Sequence, residues 1–476
     1  MTSEQTSQLK SDLEARLTPY GQSHVLKFWD KLDPEAQEKL SDQIFGYDLE
    51  QLGQLFEQKE STNHWDGLAK KASVPPAITL ANFANAESYD AAWQTGAELL
   101  EQGKVGMIIT AGGQGSRLGF DHPKGMFPIG PISGMTLFQI FFEKVMARAN
   151  QFGSKVPIYI MTSPPTHEET IEFLEEQNYF GMNAHDVKVF CQGTMPAVDH
   201  DGKLLLSDVG EIFASPDGHG GALLALQKSG ALDDMQKRGV EHVFYGQIDN
   251  PLVQVCDPAL LGYHAKSKSE MTSQVVRKTD PLQKVGNVVS VGGVVQIIEY
   301  SDLSETFARE TRADGKLKLW AGSIAVHIFK TDFFLRMSET ADSLPFHRAN
   351  KKVPFVDADG KRVTPDDNNA IKFEKFIFDL LPSAKNAIIC EVDPADGFCA
   401  VKNAPPATAE TPDHVRQAIS DLHTRWFKEA GVDVADGVTV EISPLLAADA
   451  KVLKEKIAAD PSLGEPISKN TYFQQS

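Results

Sequence analysis

Cysteine is scarce in this chain. Four thiols, Cys191, Cys256, Cys390 and Cys399, are spread over 476 residues. None forms a CxxC pair or stands near clustered histidine at ligand spacing. That argues against a disulfide framework or a structural zinc, and for free thiols in a reducing compartment. Long apolar runs are also lacking, and nothing approaches the ~18 residues that span a bilayer. The opening stretch, Met1 to Lys10, is polar and has no signal-peptide apolar core, so the expected location is cytoplasmic. Positive charge is in deficit. Against 65 Asp and Glu stand 46 Lys and Arg, a net charge of −19. Such a field repels polyanions and speaks against nucleic acid or an anionic membrane as partner. A small anionic ligand needs only a few local cations and stays open. There is no internal repeat and no low-complexity tract. With 41% hydrophobic and 23% charged residues, the chain is neither disordered nor fibrous.

At roughly 150 residues per domain, the length suits about three units. Residues 1–102 read as a helical unit. Asp33-Pro34 is a cap followed by proline at the first helical position, and Ala36, Leu40, Ile44, Phe45 and Leu49 keep a helical apolar spacing. Residues 103–384 alternate strand and helix. Val105–Thr110, Val156–Met161, Val187–Phe190 and Val240–Ile248 read as strands. Thr136–Asn150 and Thr166–Asn178 read as helices, the second capped by Thr166. This alternation predicts an α/β fold with a doubly wound, mostly parallel sheet. Gly286–Tyr300 departs from it and reads as a β-hairpin turning at Gly292-Gly293. Residues 385–476 read as a small α+β unit. In it Thr411-Pro412 starts a helix to about Ala430, Gly431 ends it, and Val438–Ile442 is a strand.

The stretch with most chemistry in it is Thr110-Ala111-Gly112-Gly113-Gln114-Gly115-Ser116-Arg117-Leu118-Gly119, followed by Pro123-Lys124-Gly125. Glycines after a buried strand let backbone N–H groups approach phosphate closely. Arg117 adds a fork of donors, and Lys124 a point charge. Two cations and a ring of N–H groups suit a triphosphate attacked at its α-phosphorus. Two rival glycine motifs fail. A dinucleotide fingerprint needs glycine where Leu118 stands, and a Walker A loop needs Gly-Lys followed by Ser or Thr.

That block resembles the signature of the UDP-sugar pyrophosphorylases, and among them the eukaryotic-type UDP-N-acetylhexosamine pyrophosphorylases. The resemblance continues in order along nearly the whole chain. It includes Gln192-Gly193, Pro216-Asp217-Gly218-His219-Gly220-Gly221, Asp249-Asn250, Val285-Gly286, Glu299-Tyr300-Ser301, Ile371 to Asp379 and Val401-Lys402-Asn403-Ala404. It implies a nucleotide-diphospho-sugar transferase sheet of the GT-A, Rossmann-like kind. The implied reaction takes UTP and a sugar 1-phosphate to a UDP-sugar and pyrophosphate, by in-line attack at the α-phosphorus.

The resemblance also implies roles. Arg117 and Lys124 would hold the β- and γ-phosphates, with Lys402 and Lys372 as further cations at the reacting phosphates and the rim. Ala111, Gly112, Gly113, Gln192, Gly193, Gly218 and His219 would bind the nucleotide. Asn250, Gly286, Glu299, Tyr300, Ser323, Phe376 and Phe378 would line the sugar. Asp249 would hold Mg²⁺, with Mn²⁺ as an alternative ion. Two positions depart from the N-acetylhexosamine pattern: His219 and Ser323 stand where that group usually has asparagine. Tyr300, Phe376 and Phe378 point to N-acetylglucosamine 1-phosphate, whereas His219 and Ser323 point to glucose 1-phosphate or mixed use. The expectation is the N-acetylated sugar, with the glucose enzyme as alternative and an inactive nucleotide-sugar sensor behind both.

Overall fold

The computed structural model describes residues 3–57, 62–340 and 344–475. The first two residues of the polar start, Met1 and Thr2, lie outside the described residues. Contacts gather the chain into two compact units: Met1–Ser61 with Gln192–Ala222 and Ser343–Ile377, and Thr62–Cys191 with Leu223–Asp342 and Phe378–Ser476. The expected consecutive stretches, 1–102, 103–384 and 385–476, are therefore grouped differently: each compact unit draws on three separated pieces. Among the described residues no helix is long and apolar enough to cross a membrane.

The larger unit is built on one sheet. Its strands are β1 (Ala77–Ile78), β2 (Val105–Thr110), β3 (Ile158–Thr162), β4 (Val187–Cys191), β5 (His242–Gln247), β6 (Met271–Arg277), β7 (Asn287–Val291), β8 (Val294–Ile298), β9 (Ala321–Lys330) and β10 (Ala387–Glu391). The order is β1-β10-β6-β9-β5-β2-β3-β4, with the β7–β8 hairpin joined to β9. All pairs along that order are parallel except the two that β9 makes with β5 and β6. The α/β, mostly parallel expectation holds. All residues of β2 and β3 are buried, as strands covered on both faces must be. The chain runs β2, β3, β4 in one direction and returns with β5 on the other side of β2. The carboxyl ends of β2 and β5 thus flank the point where strand order reverses, the usual ligand crevice of such sheets.

Local chemistry explains the flanking helices. Thr136 accepts a bond from Gln139 N and starts Leu137–Gln151; Thr411 does the same for Pro412–Glu429. Thr166 stands at the cap position of its helix, as expected, but its side chain makes no capping bond to that helix. Ser163 caps a short turn in a reciprocal box with Thr166, and the helix proper is His167–Glu176. Pro164 and Pro165 force that extra turn, since proline is tolerated only where a helix begins. Helix Ala86–Glu101 crosses Pro258–Lys266 at backbone distance. A Cβ on Gly96 would stand 1.8 Å from Pro258 O, and one on Gly262 1.7 Å from Ala92 O.

The smaller unit packs helices Ser3–Leu17, Pro34–Gly46 and Leu49–Glu57 on short strands, with Leu13, Leu17, Trp29, Leu40, Ile44, Val198 and Phe373 in its core. Asp33 caps the second helix through Ala36 N. Phe45, expected on the buried face, is 48% exposed. The buried stripe is Gln37, Leu40, Ser41 and Ile44, and Phe45 lies about 100° round from it.

Candidate active site

In the larger unit, β2 feeds the glycine loop. Ala111 N donates to Met161 O at 2.7 Å, and Lys124 N donates to Gly113 O at 2.9 Å. Ser163 Oγ donates to Gly112 O at 2.6 Å. The loop is thus fixed from β3 and folded back on itself. Gly125 sits so close to the Phe138 ring that a Cβ would stand 2.2 Å from it, which seats the loop's end on helix Leu137–Gln151. Arg117, in the turn Ser116–Leu118, is exposed, and its carbonyl accepts from Ala404 N at 3.0 Å.

The lysine and the carboxylate meet at the ends of β2 and β5. Lys124 Nζ lies 3.8 Å from Asp249 Oδ2, and both side chains are mostly buried, at 17% and 14% exposure. The same ammonium donates to Val401 O at 3.4 Å, and Val401 N donates to Asp249 O at 2.8 Å. Lys402, next in sequence, pairs with Glu410 at 3.2 Å. The segments that carry Arg117, Lys124, Asp249 and Lys402, some 285 residues apart at the extremes (402 − 117), are therefore tied together, by the Lys124–Asp249 pair and by backbone bonds at Arg117 and Val401. Asn250 serves this cluster rather than facing outward. Its Nδ2 donates to Gly397 O at 2.9 Å and its Oδ1 accepts from Cys399 N at 3.0 Å, which pins the segment leading to Lys402. The sequence reading missed Lys144. Its buried ammonium donates to Pro251 O at 2.5 Å and Val253 O at 2.9 Å, holding the turn after Asp249. Burial, with Arg148 nearby, brings its pKa down to about 7. A lysine amid Phe141, Phe142 and Val145 was the signal available.

The sugar candidates form a second cluster. Ser323 N donates to Gly286 O at 2.8 Å. A Cβ on Gly286 would stand 2.8 Å from Glu299 Oε1. Ser323 lies at a register shift between β6 and β9, and Ala325 two residues on has φ +55°. Such a bulge re-aims side chains. Tyr300 is 46% exposed and Phe378 is buried.

In the smaller unit the chain at Gly218 has φ +85°, and a Cβ there would meet Lys375 O at 2.4 Å. Only glycine fits both demands. Asp217 N donates to Gly193 O at 3.1 Å, which joins Gln192-Gly193 to this turn, and Lys375 N donates to Asp217 O at 2.7 Å. Gln192 is buried. Ile377 N donates to His219 Nδ1 at 3.2 Å, so that nitrogen is an acceptor. Burial, then His347, brings the His219 pKa down to about 4. The ring is neutral near pH 7. Phe376 lies between the rings of His219 and His347, at 5.3 and 4.5 Å. Lys372 stands over the Phe213 ring at 5.0 Å.

Among the described residues, no three His, Cys, Asp or Glu side chains form a metal cage. Asp249 is a single carboxylate beside the Lys124 ammonium. That donor set suits Mg²⁺, which takes one or two carboxylates and completes its shell with water and substrate phosphate.

The chain is similar to known proteins along most of its length. Residues 54–409 match the family described as UTP–glucose-1-phosphate uridylyltransferase. The chain is 34% identical over 443 residues to the UDP-N-acetylglucosamine pyrophosphorylase of Saccharomyces cerevisiae, covering 90% of this chain and 93% of that one. It is 35% identical over 457 residues to UDP-N-acetylglucosamine diphosphorylase 2 of Arabidopsis thaliana, covering 91% and 89%. Among solved structures, the uridine diphosphate N-acetylglucosamine pyrophosphorylase of Trypanosoma brucei, in complex with an inhibitor, superposes with a TM-score of 0.82. It is 26% identical and covers 98% of both chains.

Proposed function

This chain belongs to the UTP–glucose-1-phosphate uridylyltransferase family, and on that premise we propose that it makes UDP-N-acetylglucosamine from UTP and N-acetylglucosamine 1-phosphate. The observation that carries the reading is the meeting of Lys124, Asp249 and the Val401-Lys402 backbone at the ends of β2 and β5.

In the reaction, a phosphate oxygen of the sugar 1-phosphate forms a bond to the α-phosphorus of UTP. The bond from that phosphorus to the bridging oxygen breaks, and pyrophosphate leaves with the electron pair. No covalent enzyme intermediate is needed. The chain's task is positioning and charge neutralisation. Backbone N–H groups of the glycine loop and the Arg117 guanidinium hold the triphosphate. Lys124, fixed by Asp249 and Val401 O, neutralises charge gathering on the leaving group. Lys402 exchanges its solvent-facing partner Glu410 for phosphate oxygen. We assign Mg²⁺ binding to Asp249, together with phosphate oxygens; the ion would supply further charge neutralisation at the α-phosphate. Glu299 accepts from sugar hydroxyls beside Gly286 and Ser323.

A second reading, glucose 1-phosphate as substrate, is favoured by Ser323. Its hydroxyl accepts from Ala325 N at 3.4 Å and reaches less far than an asparagine amide. A missing donor to a substrate hydroxyl shifts preference strongly. The test is pyrophosphate release from UTP with Mg²⁺ and N-acetylglucosamine, N-acetylgalactosamine, glucose or galactose 1-phosphate in parallel. The N-acetylglucosamine ester is expected to be fastest. A faster glucose ester replaces the first reading by the second, and silence with all four removes both.

A further inference from the structure

A buried cation lies at the root of the sugar cluster. Lys278 follows β6 directly and is 4% exposed. Lysine is almost never so deep unless its ammonium is used. Its stem passes Gly322, where a Cβ would stand 3.2 Å from Lys278 Cγ. Its Nζ donates to Asn287 Oδ1 and, at 3.5 Å, to Pro281 O. Asn287 is 2% exposed and sits where three strands meet: it pairs with Ile298 on β8 and with Gly322 on β9. Its Nδ2 donates to Ile298 O at 3.3 Å.

Each end of this chain of bonds stops one residue from a sugar candidate. Asn287 follows Gly286, Ile298 precedes Glu299, and Gly322 precedes Ser323. Gly286 O in turn takes the bond from Ser323 N. We infer that Lys278 is a positioning residue for the sugar half of the site: through Asn287 its ammonium sets Gly286, Glu299 and Ser323 relative to one another. The inference rests on the uridylyltransferase reading for what those three residues bind.

The physical case is one of cost. Burying an ammonium is costly unless its donors are matched by acceptors, and burial accordingly lowers the Lys278 pKa to about 8. A neutral amide or hydroxyl at the site would satisfy a single carbonyl with less desolvation. What the long, charged stem adds is a link from the end of β6 to the β7–β8–β9 junction, and strong donation to an amide oxygen whose other end holds Ile298 O.

The experiment measures affinity for UDP and for UDP-N-acetylglucosamine by calorimetry, with the full chain and with Lys278→Met, Asn287→Asp and the double variant. Asn287→Asp keeps an acceptor for Lys278 and removes the donor to Ile298 O. Either single variant is expected to weaken UDP-N-acetylglucosamine about tenfold and to leave UDP within about twofold. The KM for the sugar 1-phosphate is expected to rise with that for UTP unchanged. The double variant should lose no more than the worse single one, since both break one chain of bonds. Equal weakening of both nucleotides would make Lys278 a merely structural strap and overturn the inference, as would unchanged UDP-sugar affinity. Should Lys278→Met not fold, Asn287→Asp alone decides by the same ratio. Failure of the unaltered chain to prefer the UDP-sugar over UDP would count against the functional reading itself.

Discussion

Lys402 shows how a residue's partner in the free protein bears on the role proposed for it. Its ammonium meets Glu410 at 3.2 Å with both side chains more than a third exposed. Exposed pairs of this kind are worth about 1 kcal/mol or less, so the proposed exchange for a phosphate oxygen would cost little. Replacing Lys402 by alanine is expected to lower kcat about a hundredfold or more, the scale of losing one preorganised charge, while the stability of the fold changes little. Steady-state rates and UDP-sugar binding measured on one preparation check this; an unchanged kcat removes Lys402 from the mechanism. His219 is a contrast. The family resemblance implied a nucleotide contact for His219. The structure commits its Nδ1 to Ile377 N and keeps the ring neutral, so its contribution is shape and hydrogen bonding rather than charge.

At the scale of elements, much was legible because the signal is local. The run Val105–Thr110, the cap at Asp33, the helix starts at Thr136 and Thr411, and the turn at Gly292-Gly293, with φ +60° and +87°, all stand where the local sequence put them. What was not legible lies in contacts between elements. Nothing in Gly96 or Gly262 alone announces that helices Ala86–Glu101 and Pro258–Lys266 touch backbone to backbone. Gly262→Ala is expected to destabilise the larger unit by about 3 kcal/mol, because the overlap is with a carbonyl and no rotamer relieves it. Urea titration would show the loss as a lower midpoint. A midpoint equal to that of the unaltered chain would mean the helices part without penalty. The bulge around Ser323 was likewise invisible, since a register shift belongs to the pairing of β6 with β9 and not to either sequence.

At the scale of the molecule, one ion pair ties distant parts of the larger unit. Glu270 takes a bidentate bond from Arg336 at 2.8 and 2.7 Å, and Lys385 N at 2.7 Å. It thereby joins the start of β6 to helix Thr331–Ser338 and to the segment before β10. Arg336 holds the Glu270 carboxyl down to about 2 against an ordinary 4.5. A depressed folded-state pKa stabilises fully above the unfolded value and is lost as pH falls from about 4.5 toward 2. With Arg336 part-exposed, the contribution is about 2 kcal/mol. The stability gap between the unaltered chain and Glu270→Gln, read from urea midpoints, is expected to be full at pH 7 and to close below pH 4. A gap independent of pH would place the pair outside acid unfolding. By itself the sequence determined the class of fold and the place of the glycine loop, because strand periodicity and glycine placement are properties of short stretches, and the chemistry entered through the family resemblance that its motifs carry. Only the tertiary structure decided that Lys124 and Asp249 meet beside Val401, that Asn250 faces inward to the 397–399 backbone, and that each compact unit is drawn from three separated pieces of chain. Those are outcomes of which surfaces bury one another, a non-local balance that no single stretch carries.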